Sequence, residues 1–76
     1  MVLAYIMIKA YTGDAGTLRD NIDAIDGVIS VHIVAGDVDL IAKVEVDSPG
    51  QVKEIAADSI RALDGVEDTQ TYIAME

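Results

Sequence analysis

The chain has 76 residues, of which 51% are hydrophobic, no cysteine, and a formal charge of −9. That length gives one domain, and so small a core is marginal alone, because a domain of ~60 residues buries only about 60% of its unfolded surface. The lack of cysteine excludes disulfides and thiolate metal sites, and 14 acids against 5 Lys and Arg disfavour direct nucleic-acid binding, which rests on cations displacing counterions.

The apolar surplus predicts burial against another subunit. Ten of the acids are Asp; an acidic, Asp-rich, Lys-poor surface fits a halophilic archaeal source as well as an ordinary acidic protein. Met1 to Ile8 is apolar, but no basic segment precedes it and no small-residue cleavage site follows, so no signal peptide is expected. No run reaches the ~20 apolar residues of a membrane span. The expected location is the cytoplasm.

Val2 to Ala10 alternates, with Ala4, Ile6, Ile8 and Ala10 on one face and Leu3, Tyr5, Met7 and Lys9 on the other, which predicts a first strand. Thr12-Gly13-Asp14 reads as a turn, with Asp14 able to cap the helix that follows. Leu18, Ile22 and Ile25 then recur at helical spacing, and Gly27 is expected to end the helix in a left-handed conformation. Val28 to Ala35 is a β-branched second strand. Gly36-Asp37 is a tight turn signal, and Val38 to Val46 a third strand with Leu40, Ala42, Val44 and Val46 inward. Ser48-Pro49-Gly50-Gln51 combines a capping box with proline at the first helical position. Val52, Ile55, Ala56, Ser59, Ile60 and Leu63 form the buried stripe of that helix, Gly65 stops it, and Val66 to Met75 is the last strand.

The two halves repeat. Ile22-Asp23-Ala24-Ile25-Asp26-Gly27-Val28 recurs, 38 residues on, as Ile60-Arg61-Ala62-Leu63-Asp64-Gly65-Val66, with five of seven positions identical. Each half reads β-α-β. The predicted fold is α+β and ferredoxin-like, βαββαβ, an antiparallel four-stranded sheet with two helices on one face. The other face carries Leu3, Tyr5, Met7, Val28, Val34, Ile41 and Tyr72 beside Lys9, His32, Lys43 and Glu45, which is too apolar for open water. Residues 1–76 are therefore expected to form a single domain that oligomerises. Its dimer interface is expected at Leu3, Tyr5, Met7, His32, Val34 and Ile41.

Catalytic chemistry is poorly supported. His32 is the only histidine and has no matched partner for acid–base work or metal ligation. Asp37/Asp39 and Asp26/Asp64 lack the spacing of an oxygen cage; the second pair precedes the two helix-ending glycines and suits turns. The serines sit in no nucleophile motif. Gly13-x-x-Gly16 lacks the context of a nucleotide-binding loop. No cofactor, metal or catalytic residue is expected. Two stretches remain. Gly36 frees the hairpin backbone for a carboxylate, and Asp39 is placed to receive an ammonium group. Thr69-Gln70-Thr71 puts two hydroxyls on one face of the last strand.

At these stretches the chain resembles the effector-binding half of the Lrp/AsnC transcription regulators, the RAM domain. That module is βαββαβ, with Gly-Val after its first helix, a Gly-x-x-Asp hairpin and a Thr-x-Thr last strand. Here these stand as Asp26-Gly27-Val28, Gly36-Asp37-Val38-Asp39 and Thr69-Gln70-Thr71, and the resemblance runs the length of the chain. It implies dimers joined through their sheets, higher homo-oligomers, and small effectors, typically amino acids, in clefts between dimers. By that analogy Gly36, Asp37 and Asp39 contact the amino and carboxylate groups, and Thr69 and Thr71 sit nearby. Family regulators also carry an N-terminal helix-turn-helix. This chain starts at its first strand, so it resembles the stand-alone form, and Met1 just before that strand favours a complete small protein over an excised domain. The resemblance implies a non-enzymatic module, with a full-length family regulator as one partner. Readings from other classes are a small dimeric ferredoxin-like monooxygenase or isomerase, an ACT-type regulatory domain, and a purely structural oligomerisation domain.

Overall fold

The computed structural model describes residues 1–11 and 13–75; Thr12 of the expected turn lies outside them. The elements run β1 (Val2–Ala10), α1 (Ala15–Asp23), β2 (Val28–Ile33), β3 (Leu40–Val46), α2 (Pro49–Lys53) continuing as a π-helical segment (Glu54–Ile60), and β4 (Val66–Ile73). The strands form one sheet in the order β2-β3-β1-β4, and the three pairings are antiparallel. This is the expected ferredoxin-like arrangement.

The period-2 pattern assigns the core. Ala4, Ile6 and Ile8 of β1, Leu40, Ala42 and Val44 of β3, Val31 and Val66 are buried with Leu18 and Ile22 of α1 and Val52, Ile55, Ala56 and Ile60 of the second helix. No polar or charged residue is buried among them. Fully burying one Ile or Leu side chain contributes roughly 1.5–3 kcal/mol, so this layer is the main source of stability. Ile25, Val46 and Leu63 pack half-buried against its margin.

The helix starts follow their capping residues. Asp14 caps α1: its carboxylate accepts from Thr17 N at 3.1 Å and from Thr17 Oγ1 at 2.7 Å. The Thr17 hydroxyl bond, and then the Thr17 backbone bond, hold its pKa below the ordinary value. At the second helix Gln51 Oε1 reaches back to Asp47 N at 2.8 Å and Ser48 N at 3.1 Å, and Pro49 occupies the first turn.

The helix ends differ from expectation. α1 stops at Asp23, four residues before Gly27, with Ala24 as its cap. A turn then follows, in which Ile25 N donates to Ile22 O and Val28 N to Ile25 O. The second half repeats it, with Leu63 N to Ile60 O and Val66 N to Leu63 O. Gly27 and Gly65 both take positive φ, 96° and 98°, so the left-handed residue belongs to the turn into the strand.

Three strand boundaries also move. β2 ends at Ile33, not Ala35; β3 begins at Leu40, not Val38; β4 ends at Ile73, not Met75. The hairpin loop therefore spans residues 34–39, closed by Val34 N donating to Asp39 O at 2.9 Å. Val28, expected on the uncovered face, pairs with Val44 and packs against the core. The register shifts between Val28 and Ser30, and such a bulge changes the face that a residue occupies. Leu3, Tyr5, Met7 and Ile41 keep their places on the uncovered face. Leu3 lies opposite Glu45, Tyr5 opposite Lys43 and Tyr72, and Ile41 opposite Met7 and His32.

Candidate functional site

The β2–β3 loop reaches toward the paired ends of β1 and β4. There Lys9 lies opposite Asp68 and Met7 opposite Gln70 on the uncovered face. With Asp37 and Val38 from the loop, and Thr69, these residues line a cleft of about 290 Å³. One cation thus stands among two carboxylates, an amide and the apolar Met7 and Val38.

A second depression lies behind β4. Thr69, Thr71 and Ile73 pair with Ile8, Ile6 and Ala4, so they face the helices. Together with Pro49, Val52, Lys53, Ala56, Ala57 and Arg61 they line a groove of about 260 Å³. Both depressions are open to solvent.

The five residues expected to bind ligand are split. Asp37 and Thr69 meet in the hairpin cleft, and Thr71 joins Thr69 in the groove behind β4. Gly36 is exposed, and its φ is not among the positive ones; Asp39 and Gly36 line neither depression. The Asp39 carboxylate instead accepts from Ala10 N at 2.8 Å, and Asp39 N donates to Ile8 O at 3.0 Å. These bonds hold the loop against β1 where its pairing with β4 shifts register between Lys9 and Ala10. Asp39→Ala leaves the part-buried Ala10 N–H without this partner, which costs about 1–3 kcal/mol. A urea midpoint lowered to match is expected; an unchanged midpoint would show that the bond contributes nothing.

Sequence reasoning missed Lys9, Asp68 and Gln70 as cleft residues. The alternation put Lys9 on the uncovered face, but only the β1–β4 register brings it beside Asp68. Among the described residues, no group of three or more His, Cys, Asp or Glu is placed to hold a metal ion, and no helix is long and apolar enough to cross a membrane.

A βαββαβ sheet with its helices on one face, its other face apolar at the centre, and a charged cleft under the hairpin make this a ferredoxin-like α+β domain with a candidate ligand cleft. Residues 3–76 match the Lrp/AsnC ligand binding domain, and the chain belongs to that family. It is 35% identical over 77 residues to an HTH-type transcriptional regulator of Pyrococcus abyssi, covering 96% of this chain and 51% of that protein. The chain spans about half the length of these curated relatives. Its fold superposes on a crystal structure from Thermus thermophilus with a TM-score of 0.94 at 28% identity, over 100% of this chain and 95% of that one. A Neisseria meningitidis transcriptional regulator solved in complex with L-Met shares the fold, with a TM-score of 0.86 at 17% identity over 99% of this chain and 50% of that one.

Proposed function

We propose that this chain is an amino-acid-sensing module of the cytoplasm, which assembles through its uncovered sheet face and binds its effector in the hairpin cleft. The observation that carries the reading is the charge layout of that cleft. A free amino acid presents one carboxylate and one ammonium group. Lys9 answers the first and Asp37 or Asp68 the second, while Met7 and Val38 offer an apolar wall to its side chain. Both charges are then paired, which matters because an unpaired charge removed from water is costly. The L-Met complex of the Neisseria regulator supports this ligand class. The reading is not enzymatic: the curated relatives are transcriptional regulators.

The mechanism is linkage. An effector bound in a cleft that a second dimer completes favours the larger assembly by its differential affinity for the two states. A full-length family regulator sharing the interface is the partner on which the change acts. Light scattering with and without the twenty amino acids, at low and high salt, tests the scheme. A ligand-dependent step from dimer to larger ring is expected. A mass fixed under all conditions would remove the switch, and a monomer of 8.1 kDa would remove the assembly itself.

A further inference from the structure

The two edges of the sheet are protected unequally. β2 is six residues long, and its pairing is broken by the bulge between Val28 and Ser30, a device that discourages further strand pairing. β4 is eight residues long, and its register with β1 is regular from Asp68 to Ile73. We propose that the open edge of β4 is an interface for a second copy of this chain, whose own β4 pairs with it antiparallel about a two-fold axis at Thr71.

The register shows which backbone groups are open. Ala74 N donates to Leu3 O at 2.8 Å, so Ala74, Tyr72, Gln70 and Asp68 turn their backbone groups toward β1, the last three opposite Tyr5, Met7 and Lys9. In an antiparallel pair the alternate residues turn theirs away, so Thr69, Thr71 and Ile73 point N–H and C=O out from the sheet. The Asp68 carboxylate covers the first of these donors, accepting from Thr69 N at 2.9 Å. The N–H groups of Thr71 and Ile73 and the carbonyls of all three residues face the open edge. From Thr69 to Met75 the sequence has no charge, proline or glycine, the composition of a segment that pairs readily. Thr71, Tyr72 and Ile73 are exposed.

Charge selects the partner strand and its direction. The acids of β4, Glu67 and Asp68, stand at one end of it. With Thr71 opposite Thr71 of the second copy, each Asp68 lies opposite an Ala74, and the two Asp68 residues are roughly 20 Å apart along the strands at ~3.4 Å per residue. That exceeds the Debye length of about 8 Å at physiological salt. A parallel pairing in register would set Asp68 beside Asp68 at about 5 Å. In the antiparallel pair Thr71 N donates to the second copy's Thr71 O and Ile73 N to its Thr69 O, with the reverse bonds by symmetry. The β2 edge of another copy fits less well, because its bulge interrupts the ladder and a β2-to-β4 contact is head-to-tail, so it does not close as a pair. A two-stranded contact is marginal alone. Here it joins chains that the uncovered face also holds, and the two two-fold axes together close a four-chain assembly. That closure rests on the face assembly proposed above; the edge pairing does not.

The test follows amide hydrogen exchange in the isotopically labelled full chain, without amino acids, in high salt to screen the charge of −9 on each copy. As the protein is concentrated, the Thr71 and Ile73 amides are expected to slow by about tenfold or more. The Gln70 and Tyr72 amides, already bonded to β1, are the reference. Thr71→Lys should restore fast exchange at Ile73 and remove the four-chain species from light scattering. It sets like charges against each other at the axis yet lowers the net charge of each copy, so general repulsion cannot explain the loss. Thr71→Pro should act in the same way with the fold intact, because that N–H faces away from β1. Fast exchange at Thr71 and Ile73 at every concentration, slowing independent of concentration, slowing confined to β2, or Ile73 protection that survives both substitutions would each overturn the proposal. Concentration-dependent protection in a chain that goes no further than a dimer would support the edge and remove the face assembly, so the two readings fail separately.

Discussion

Replacing Gly27 with alanine is expected to destabilise the fold by about 2–5 kcal/mol, the sum of two separate penalties. The first is backbone strain: Gly27 has φ of 96°, and an L-residue held in the left-handed region costs roughly 1–2 kcal/mol. The second is steric. A Cβ at Gly27 would stand 2.8 Å from Ile55 Cδ1 and 2.9 Å from Val46 Cγ1. The Ile55 methyl is the end of a jointed side chain, but Ile55 is buried in the core. Val46 is β-branched and stiff at χ1. Overpacking of this kind costs typically 1–3 kcal/mol. The Gly27 carbonyl also accepts from Glu45 N at 2.9 Å, so the backbone cannot relax without loosening β3. A chain of this length has a total stability of about 4–11 kcal/mol at ~0.05–0.15 kcal/mol per residue. The substitution therefore removes a large part of it. Urea denaturation should show a much lower midpoint with the slope preserved. Gly36→Ala is the matched control: nothing lies within 4 Å of a Cβ there, and its midpoint should stay within ~0.5 kcal/mol of the parent. Equal effects at the two glycines would refute this account.

The contrast between these glycines marks how far the sequence could be read. Gly27 and Gly65 were legible as special because they recur with their neighbours 38 residues apart, and the structure gives both the same left-handed turn. β1 was legible to the residue because four small or aliphatic side chains alternate without interruption. The hairpin was not. Val34 and Val38 have strand-forming side chains, so local preference extends both strands through them. What shortens the strands is Asp39, whose carboxylate and N–H bind Ala10 and Ile8 on β1, a contact 29 residues away that no local pattern encodes. Val28 changed face for a similar reason, since a bulge in the pairing with β3 is not written in β2 itself. The π hydrogen bonding of Glu54–Ile60 has no local signature either. For the candidate site, Asp37 and Thr69 were found through their motifs. Lys9, Asp68 and Gln70 needed the register between the first and last strands.

That register also places the second large effect. Ile41→Asp is expected to break the proposed dimer into monomers while leaving the monomer folded. Ile41 lies on the uncovered face with Met7 and His32 directly opposite on the flanking strands, and it is only half-buried in the isolated chain. Around it, Tyr5 and Met7 are half-buried too, while Lys9, His32, Glu45, Asp68 and Gln70 are exposed at the margin. An apolar centre inside a polar rim is the anatomy of an interface. A two-fold interface uses each residue twice, so one substitution puts two carboxylates into the buried patch. An uncompensated buried charge costs about 3–5 kcal/mol, and two of them weaken association on the order of 10⁴-fold or more. The core residues all lie on the other side of the sheet, so circular dichroism should keep its folded signature. Sedimentation should show the 8.1 kDa species at micromolar concentrations where the parent is expected to be a dimer. If the mass does not change, the uncovered face is not where the chain assembles. The apolar centre at Tyr5, Met7 and Ile41 would then have to be covered by a different partner.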